Sequence, residues 1–285
     1  MASAGTSRNV RTELNYSKPV EGNTISIDFT KPGAEAKFED LNENGSTSHD
    51  VTINDVRGKT QDLSLASNGF QYVSHDVAGL GDCKTEQEIT DLLLPATKEL
   101  VQNQLGASRI DILTSRIRSK YSTDPAKRQE YRGPANSVHS DFTPAGALKQ
   151  LENVITDAEE RQQLIENHRV YVINVWRPLK PITRDPLAVC DWQTVDRHRD
   201  WISKRFIYPG NWSELGTPVY HPDHRWYWIS NQRPNEALVF VQFDGDKVDE
   251  GGMTVAHTAF VDPDFNEGPP RESMEIKMFA FVPRV

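Results

Sequence analysis

Alternation of apolar and polar residues is the main pattern along the chain, and it predicts a protein built mostly of β-strands. In a strand, successive side chains point to opposite faces, so every second residue meets the same surroundings. The strongest run is residues 169–177, where both faces are largely apolar, and this predicts a central strand. The other predicted strands are residues 24–29, 51–56, 70–74, 109–115, 226–229, 238–243, 254–260 and 275–282.

A period of three to four residues predicts helices between some of these strands. The clearest helix covers residues 85–105 and begins with Thr85 and Glu88 at the spacing of a capping box. Residues 32–50 are rich in Glu, Asn, Gly and Ser, and residues 208–225 are interrupted by Pro and Gly, so both are predicted loops. The remaining predicted helices are residues 144–154, 157–167 and 195–206.

The order of these elements predicts an α+β fold that is mainly β. Strands mixed with helices come first, and a run of four strands fills the last part of the chain. At 285 residues the chain is long enough to bury a large core, and no composition shift marks a boundary. We therefore predict a single domain over residues 1–285, with residues 1–19 as a flexible N-terminus.

Charge and composition narrow the classes of partner and the cellular compartment. The net charge of −9 argues against nucleic acid or an anionic membrane as the main partner. No window approaches the roughly 18 apolar residues of a membrane span, and the first residues lack a signal-peptide pattern. The two cysteines, Cys83 and Cys190, are too few for a disulfide framework. These features predict a soluble cytoplasmic protein.

One segment within this pattern carries an arrangement that suits a metal. His139 and Asp141 are two residues apart in residues 138–143, a predicted strand, so both side chains would point to one face. Two imidazoles and one carboxylate on one side of the metal, with the other positions open, are typical of non-haem iron(II) sites. His257, inside the predicted strand 254–260, is the candidate for the third ligand.

A second His-x-Asp motif competes with this assignment. With 8 histidines and 41 acidic residues, such a motif also arises by chance, and then the carboxylate only orients the imidazole. The rival is His221-Pro222-Asp223, which is followed directly by His224. Because Pro222 disfavours a regular central strand and the segment lies in a predicted loop, we favour a place near the mouth of a site.

Arg271 and Ser273, near the C-terminus, form a candidate carboxylate clamp. The planar guanidinium of arginine holds a carboxylate through two hydrogen bonds, and a hydroxyl on the same strand face adds a third. A 2-oxo acid that binds a metal through its oxo group and adjacent carboxylate needs such a clamp for its far carboxylate. Gln242 lies in a predicted strand and needs partners if buried, and the same carboxylate is one candidate partner.

The order of these motifs resembles that of the iron(II)/2-oxoglutarate-dependent oxygenases. Several segments resemble, more closely, the fungal hydroxylase/desaturase family that includes gibberellin desaturase-type enzymes and relatives in the cephamycin pathway. These segments occur in the family's order and span about half of the chain. They are Val138-His-Ser-Asp-Phe-Thr143, Asn174-Val-Trp-Arg-Pro-Leu179, Asp185-Pro-Leu-Ala-Val-Cys-Asp191, Asn235-Glu-Ala-Leu-Val-Phe-Val-Gln-Phe-Asp244, His257-Thr-Ala-Phe260 and Arg271-Glu-Ser-Met-Glu275.

The resemblance implies a double-stranded β-helix (jelly-roll) core with flanking helices, over roughly residues 109–285. It implies that His139, Asp141 and His257 bind iron(II). It also implies that 2-oxoglutarate is the cosubstrate held by the carboxylate clamp, with O2 as the oxidant. The interval from Asp141 to His257 is long for the superfamily, and the predicted helices and Pro-rich loop between them account for it.

The activity implied is hydroxylation, desaturation or ring formation at an unactivated C–H bond of a small secondary metabolite, with succinate and carbon dioxide as coproducts. Two alternatives stay open. One is a non-catalytic jelly-roll protein that binds a small molecule, and the other is a cupin-type metalloenzyme that uses no 2-oxoglutarate. Neither alternative requires the carboxylate clamp, and this favours the oxygenase.

The predicted substrate is a small carboxylated metabolite, with no role for nucleic acid or membrane. Arg177 and Arg225 are the candidate anchors for its carboxylate, and Tyr227 is a candidate for the pocket wall. Arg177 has an alternative structural role, in which it faces the core with a partner, and the pattern favours this alternative. The loops predicted to surround the mouth are residues 180–191 and 208–225, which are rich in Pro and aromatic residues. The oligomeric state stays open, with a homodimer as one option.

Overall fold

The computed structural model describes residues 8–118, 133–265 and 267–284. In these ranges the helices are α1 (Ala34–Asn44), α2 (Leu65–Asn68), α3 (Glu86–Leu105), α4 (Pro144–Val154) and α5 (Ala158–Asn167). The strands are β1 (Val10–Ser17), β2 (Thr24–Asp28), β3 (Ser46–Asp55), β4 (Phe70–Ser74), β5 (Arg109–Arg118), β6 (His168–Pro178), β7 (Leu187–Cys190), β8 (Trp201–Tyr208), β9 (Asn211–Pro218), β10 (Trp226–Trp228), β11 (Glu236–Asp244), β12 (His257–Ala259) and β13 (Ser273–Pro283).

Two five-stranded sheets form the core of the fold. The first sheet has the strand order β1-β3-β10-β7-β12, and the second has the order β4-β11-β6-β13-β5. A third sheet of three strands, β2-β8-β9, is separate from both. All neighbouring strands in the second sheet are antiparallel. The architecture is mainly β, as the sequence pattern predicts, and it is the double-stranded β-helix with flanking helices that the resemblance implies.

The two large sheets pack face to face and enclose an apolar core. Trp176 and Phe240 of the second sheet contact the same buried cluster as Val189 of the first. The opposite face of the second sheet is covered by α3, which buries Leu93 and Val101 there. Because its two faces meet different partners, alternate residues of β6 and β13 point either between the sheets or toward α3.

Helix α3 confirms the predicted capping box. The Thr85 hydroxyl accepts a hydrogen bond from the Glu88 backbone N–H at 3.2 Å, and the Glu88 carboxylate accepts from the Thr85 N–H at 3.1 Å. Gly106, with φ of 67°, ends the helix in a left-handed conformation that glycine adopts without strain. In the part of the chain that the structure describes, no helix is long and apolar enough to cross a membrane.

The N-terminal part of the chain is more ordered than the sequence pattern indicates. Of the predicted flexible residues 1–19, residues 1–7 lie outside the described ranges, but β1 pairs with β3 along its whole length. Val10, Leu14 and Tyr16 are buried in one apolar cluster with Trp226 of the same sheet. Because β1, β3 and β4 all belong to the two large sheets, the core begins well before the predicted residue 109.

The predicted helix at residues 195–206 and the predicted loop at residues 208–225 are both wrong in part. Strands β8 and β9 form a hairpin there, paired from Trp201 opposite Pro218 to Tyr208 opposite Asn211. Strand β2 pairs with the free edge of β8. Because β8 is paired with a strand on each side, this pairing outweighs the weak preference of its own sequence for one type of secondary structure.

Candidate active site

His139, Asp141 and His257 lie close together, as the sequence predicts. Within the described ranges, they are the one group of at least three His, Cys, Asp or Glu side chains whose ligand atoms could hold a metal ion, all within 4.8 Å of one another. The three residues come from two distant parts of the chain, so the fold itself assembles the group. Two imidazoles and one carboxylate form the ligand set of non-haem iron(II) sites.

The two histidines are held together by their own backbones. The His139 N–H donates to the His257 carbonyl at 3.1 Å, and the His257 N–H donates to the His139 carbonyl at 2.8 Å. Their ring centroids are 4.4 Å apart. Residues 138–143 do not form the predicted continuous strand; they make single bridges, from His139 to His257 and from Ser140 to Gly216. Even so, Asp141 reaches the same point as the two imidazoles.

Both imidazoles present Nε2 as the free ligand atom. The Nδ1 of His139 lies 2.8 Å from the Ser137 carbonyl oxygen, and the Nδ1 of His257 lies 3.2 Å from the Val255 carbonyl oxygen. Because a carbonyl oxygen only accepts hydrogen bonds, each Nδ1 is the donor, and in a neutral ring this tautomer leaves the Nε2 lone pair for a metal. Burial, together with the neighbouring His139, lowers the pKa of His257 to about 3, so this ring is neutral, as a metal ligand must be.

The Asp141 carboxylate is fixed at both oxygens. Its Oδ1 accepts a hydrogen bond from Lys277 Nζ at 2.7 Å, and its Oδ2 accepts from Asn174 Nδ2 at 3.3 Å. Oδ2 also lies 3.9 Å from His257 Nε2, on the side of the imidazoles. Burial alone would raise the pKa of Asp141, but Lys277 and the two imidazoles outweigh it and hold the pKa below its usual value. Asp141 is therefore an ionised carboxylate.

A row of side chains across three neighbouring strands supports these ligands. Phe240 of β11 is directly opposite Asn174 of β6, which is directly opposite Lys277 of β13. Directly opposed residues share a sheet face, so all three point between the sheets. The Phe240 ring centroid is 5.0 Å from that of His257. Sequence analysis missed Asn174 and Lys277, although a polar residue inside each otherwise apolar strand was a signal for them.

The carboxylate clamp residues are both buried. The Arg271 guanidinium lies over Trp176, 5.3 Å from the ring centroid, and donates to the Asp185 carbonyl at 2.7 Å. Ser273 is fully buried, and within the described residues its hydroxyl has no hydrogen-bond partner. A buried hydroxyl without a partner is costly, so this atom is suited to an incoming acceptor such as a carboxylate. The donor set therefore fits the far carboxylate of 2-oxoglutarate.

A cavity connects the metal ligands to the clamp. It is narrow, with a volume of about 20 Å³, and is lined by His139, His257 and Arg271 together with the apolar surfaces of Trp176 and Phe240. Arg118 and Glu275, which sequence analysis missed, form an ion pair at 3.1 Å in its wall. The cavity thus offers a polar end at the clamp and apolar sides that keep water away from the metal position.

Gln242 has a different place from the one predicted. Its amide oxygen accepts from the Asp141 backbone N–H at 2.8 Å, and its amide nitrogen donates to the Val255 carbonyl at 2.8 Å. The side chain is fully buried and points to backbone groups beside two metal-ligand residues. The predicted contact with the cosubstrate is therefore wrong, and Gln242 instead ties together the segments that carry Asp141 and His257.

Arg177 also lies away from the cavity. It is directly opposite Met274, which packs in the cluster between the second sheet and α3. Its guanidinium donates to the His75 carbonyl at 2.9 Å and to the Pro234 carbonyl at 2.8 Å. The prediction of a substrate anchor is wrong for this residue, because alternation along β6 turns Arg177 to the face opposite Asn174 and Trp176.

Tyr227 lies on the same sheet face as His257, and Arg225 lies two residues before Tyr227 in the chain. Tyr227 is directly opposite Val189, which is directly opposite His257, so these three side chains share the inner face of the first sheet. Two strand spacings separate Tyr227 from His257, roughly 10 Å. Arg225, whose side chain is 57% exposed, lies 3.5 Å from the Asp191 carboxylate. Both residues remain candidates for the substrate side of the site.

The rival motif does not assemble a metal site in the described part of the chain. His224 is buried, with Nε2 3.2 Å from Asp200 Oδ2 and Nδ1 3.4 Å from the Tyr16 hydroxyl. His221 lies 3.3 Å from Asp223 at the surface. His224 therefore has partners of its own inside the protein.

A larger cavity lies among loops elsewhere in the protein. It has a volume of about 430 Å³, is open to solvent, and is lined by Arg8, Trp228 and Phe265 among others. None of the three metal-ligand candidates contributes to its wall. Arg8 pairs there with Asp262 and lies over the Phe265 ring, 5.1 Å from its centroid. We therefore place the chemistry in the smaller cavity.

Comparisons with known proteins identify the family of the chain. A family model described as an oxidoreductase/YMDC permease-like domain matches residues 14–281. The alpha-ketoglutarate-dependent dioxygenase tstK of Talaromyces stipitatus is 30% identical over 232 residues, which cover 80% of this chain and 83% of that protein. The hydroxylase/desaturase efuI of Hormonema carpetanum is 29% identical over 306 residues, covering 99% and 98%. The gibberellin cluster GA4 desaturase of Gibberella fujikuroi is 26% identical, covering 82% and 87%.

A solved structure confirms the fold. The iron and alpha-ketoglutarate-dependent endoperoxidase NvfI superposes with a TM-score of 0.78 over 97% of this chain and 99% of that chain, at 24% identity. The relatives imply that this enzyme uses iron(II) as its metal cofactor, 2-oxoglutarate and O2 as cosubstrates, and a small molecule as its substrate. The chain belongs to the matched oxidoreductase family and, within it, to the fungal hydroxylase/desaturases that are iron(II)- and 2-oxoglutarate-dependent dioxygenases.

Proposed function

We propose that His139, Asp141 and His257 bind iron(II) and that Arg271 and Ser273 hold the far carboxylate of 2-oxoglutarate. The observation that carries this proposal is the convergence of three ligand atoms within 4.8 Å, with both Nε2 atoms free. Iron(II) bound there would activate O2 for oxidation of a C–H bond, with 2-oxoglutarate leaving as succinate and carbon dioxide. The family match over residues 14–281 supports one oxygenase domain.

The protein's own residues act mainly by positioning the reactants. The guanidinium of Arg271 and the hydroxyl of Ser273 fix one end of the cosubstrate, and the cavity directs its other end to the imidazoles. Trp176 and Phe240 line the cavity with apolar surface, which excludes water from the reacting centre. Holding reactants in one geometry decides which C–H bond is attacked.

For the substrate, we propose a small carboxylated secondary metabolite. The hydroxylase/desaturase and gibberellin cluster relatives support this class. The net charge of −9 disfavours nucleic acids and anionic membranes. Tyr227, on the face it shares with His257, would line the substrate side, and Arg225 would provide a cation at the rim. Hydroxylation, desaturation and ring formation all fit this site.

Metal binding tests the ligand assignment directly. Anaerobic titration should give one iron(II) per chain, and Ala in place of any one of the three ligands should abolish this binding while the circular dichroism spectrum is retained. His224→Ala is the matched control, because His224 is a buried histidine held by Asp200 and should not affect the metal. Iron binding that survives His257→Ala but is lost in His224→Ala would contradict the assignment.

Succinate formation tests the substrate class. With iron(II) and 2-oxoglutarate, small carboxylated metabolites should raise succinate formation above the background without substrate, whereas peptides and oligonucleotides should not. Arg225→Ala should raise KM for a carboxylated substrate and leave the affinity for 2-oxoglutarate unchanged. Turnover that depends only on peptides or oligonucleotides would refute this part of the proposal.

A further inference from the structure

A lysine contacts the carboxylate that is the proposed metal ligand. Lys277 Nζ lies 2.7 Å from Asp141 Oδ1, and the Lys277 side chain is only 14% exposed. The Lys277 ammonium and a divalent metal bound by Asp141 would repel each other. A lysine at this position therefore needs a role that compensates for the repulsion. None of the assigned roles, metal ligation or cosubstrate binding, requires a lysine at this position.

The geometry separates the two oxygens of the Asp141 carboxylate. Oδ1 faces Lys277, while Oδ2 is 3.9 Å from His257 Nε2 and thus faces the ligand nitrogens. Asn174 Nδ2 donates to Oδ2 at a distance of 3.3 Å. Asn174 belongs to β6, which lies between the strand of Phe240 and the strand of Lys277. Because Asn174 and Lys277 are directly opposed residues of adjacent strands, the carboxylate is gripped from a rigid sheet rather than from a loop.

We propose that Lys277 is a positioning residue that engages Asp141 Oδ1 and so leaves only Oδ2 for the metal. This inference rests on the proposed assignment of Asp141 as an iron ligand. A carboxylate held at one oxygen cannot rotate, and it binds a metal through the other oxygen alone. One-oxygen binding conserves the open coordination positions that cosubstrate and oxygen need.

The sign of the effect on metal affinity distinguishes positioning from simple charge. Removing a nearby positive charge would, by Coulomb attraction alone, tighten the binding of a divalent metal. Removing a hydrogen bond that orients a ligand weakens metal binding, by about 10- to 100-fold for partners of metal ligands. The two effects have opposite directions, so one measurement separates them.

The experiment measures cobalt(II) and iron(II) affinity of the metal-free protein under anaerobic conditions, by competition with a coloured chelator. Lys277→Met should bind both metals about 10- to 100-fold more weakly than the wild type. Lys277→Gln keeps a hydrogen-bond donor without the charge, and it should stay within about threefold of the wild type. The visible spectrum of bound cobalt(II) should change in Lys277→Met and not in Lys277→Gln, because it reports coordination geometry.

Lys204→Met is the matched control. Lys204 is another partly buried lysine, and it donates to the Ser17 hydroxyl at 2.8 Å, apart from the metal ligands. Its removal should leave metal affinity unchanged. Unchanged or tighter binding in Lys277→Met would overturn the inference, and so would a tenfold loss in a folded Lys277→Gln. If Lys277→Met does not fold, Lys277→Ala takes its place in the comparison with the Gln variant. If the Asp141→Ala variant bound metal with the affinity of the wild type, that result would instead refute the proposed function.

Discussion

Ser273→Ala should stabilise the protein without cosubstrate and weaken the binding of 2-oxoglutarate. The Ser273 side chain is fully buried, and its hydroxyl has no hydrogen-bond partner within the described residues. Replacing it by a methyl group removes a desolvated polar atom, which should stabilise the free protein by about 1 kcal/mol. For a chain of this size, the melting temperature should rise by about 2 °C.

The opposite change should appear once 2-oxoglutarate is bound. In the complex the hydroxyl would donate to a carboxylate, and such charge-assisted bonds contribute about 1.5–3 kcal/mol. The affinity of Ser273→Ala for 2-oxoglutarate should therefore fall by roughly 10- to 150-fold. Anaerobic calorimetric titration of the metal-loaded protein measures this affinity, and thermal unfolding with and without 2-oxoglutarate measures the two stabilities.

Ser17→Ala is the matched control for this prediction. Ser17 is also buried, but its hydroxyl donates to Thr217 at 2.8 Å and accepts from Lys204. Its loss should destabilise the protein by about 1–2 kcal/mol, because it removes a satisfied bond, and should leave 2-oxoglutarate affinity unchanged. A lower melting temperature in cosubstrate-free Ser273→Ala, or an unchanged 2-oxoglutarate affinity, would refute the reasoning.

Two further predictions concern buried cations. Arg271→Ala should weaken 2-oxoglutarate binding by about 2–5 kcal/mol, or roughly 30- to several-thousand-fold, and should change the iron affinity little. Calorimetric titration measures both affinities. A 2-oxoglutarate affinity equal to that of the wild type would exclude Arg271 from the clamp. Burial lowers the pKa of Lys204 to about 8, below its usual value, so the wild type should gain stability relative to Lys204→Met as the pH rises from about 8 toward 10.4. Chemical denaturation of both proteins across this range checks the slope, and parallel curves would contradict it.

The site was more predictable from sequence than the fold around it. His139 and Asp141 could be found because the spacing of two residues directs both side chains to one place, even though their segment forms only single bridges. The clamp candidates Arg271 and Ser273 were visible as a charged residue and a hydroxyl residue two positions apart, just before and at the start of β13. Both cases depend on local spacing, which a sequence shows directly.

Residues whose role depends on pairing between strands could not be assigned in this way. Arg177 and Gln242 are both polar residues in apolar strands. Yet Arg177 lies on the sheet face away from the cavity and bonds the His75 carbonyl, while Gln242 bonds the backbone of Asp141. Lys277 has the same appearance in sequence but reaches Asp141. Which face of a strand is inside follows from the sheet register, and register is fixed by partners distant in the chain.

The paired backbones of His139 and His257 have a consequence for how the enzyme handles loss of its metal. Two N–H···O bonds, together with the sheets around them, hold the two histidines side by side across a long stretch of chain. The free energy of folding therefore offsets the entropy lost when the ends of this stretch come together. In small zinc domains the metal provides that closure, and the apoprotein unfolds. The backbone hydrogen bonds between His139 and His257 do not involve a metal, so we expect both imidazoles to keep their positions when the ion is lost. The enzyme should then be able to lose oxidised iron and take up a fresh ion without refolding.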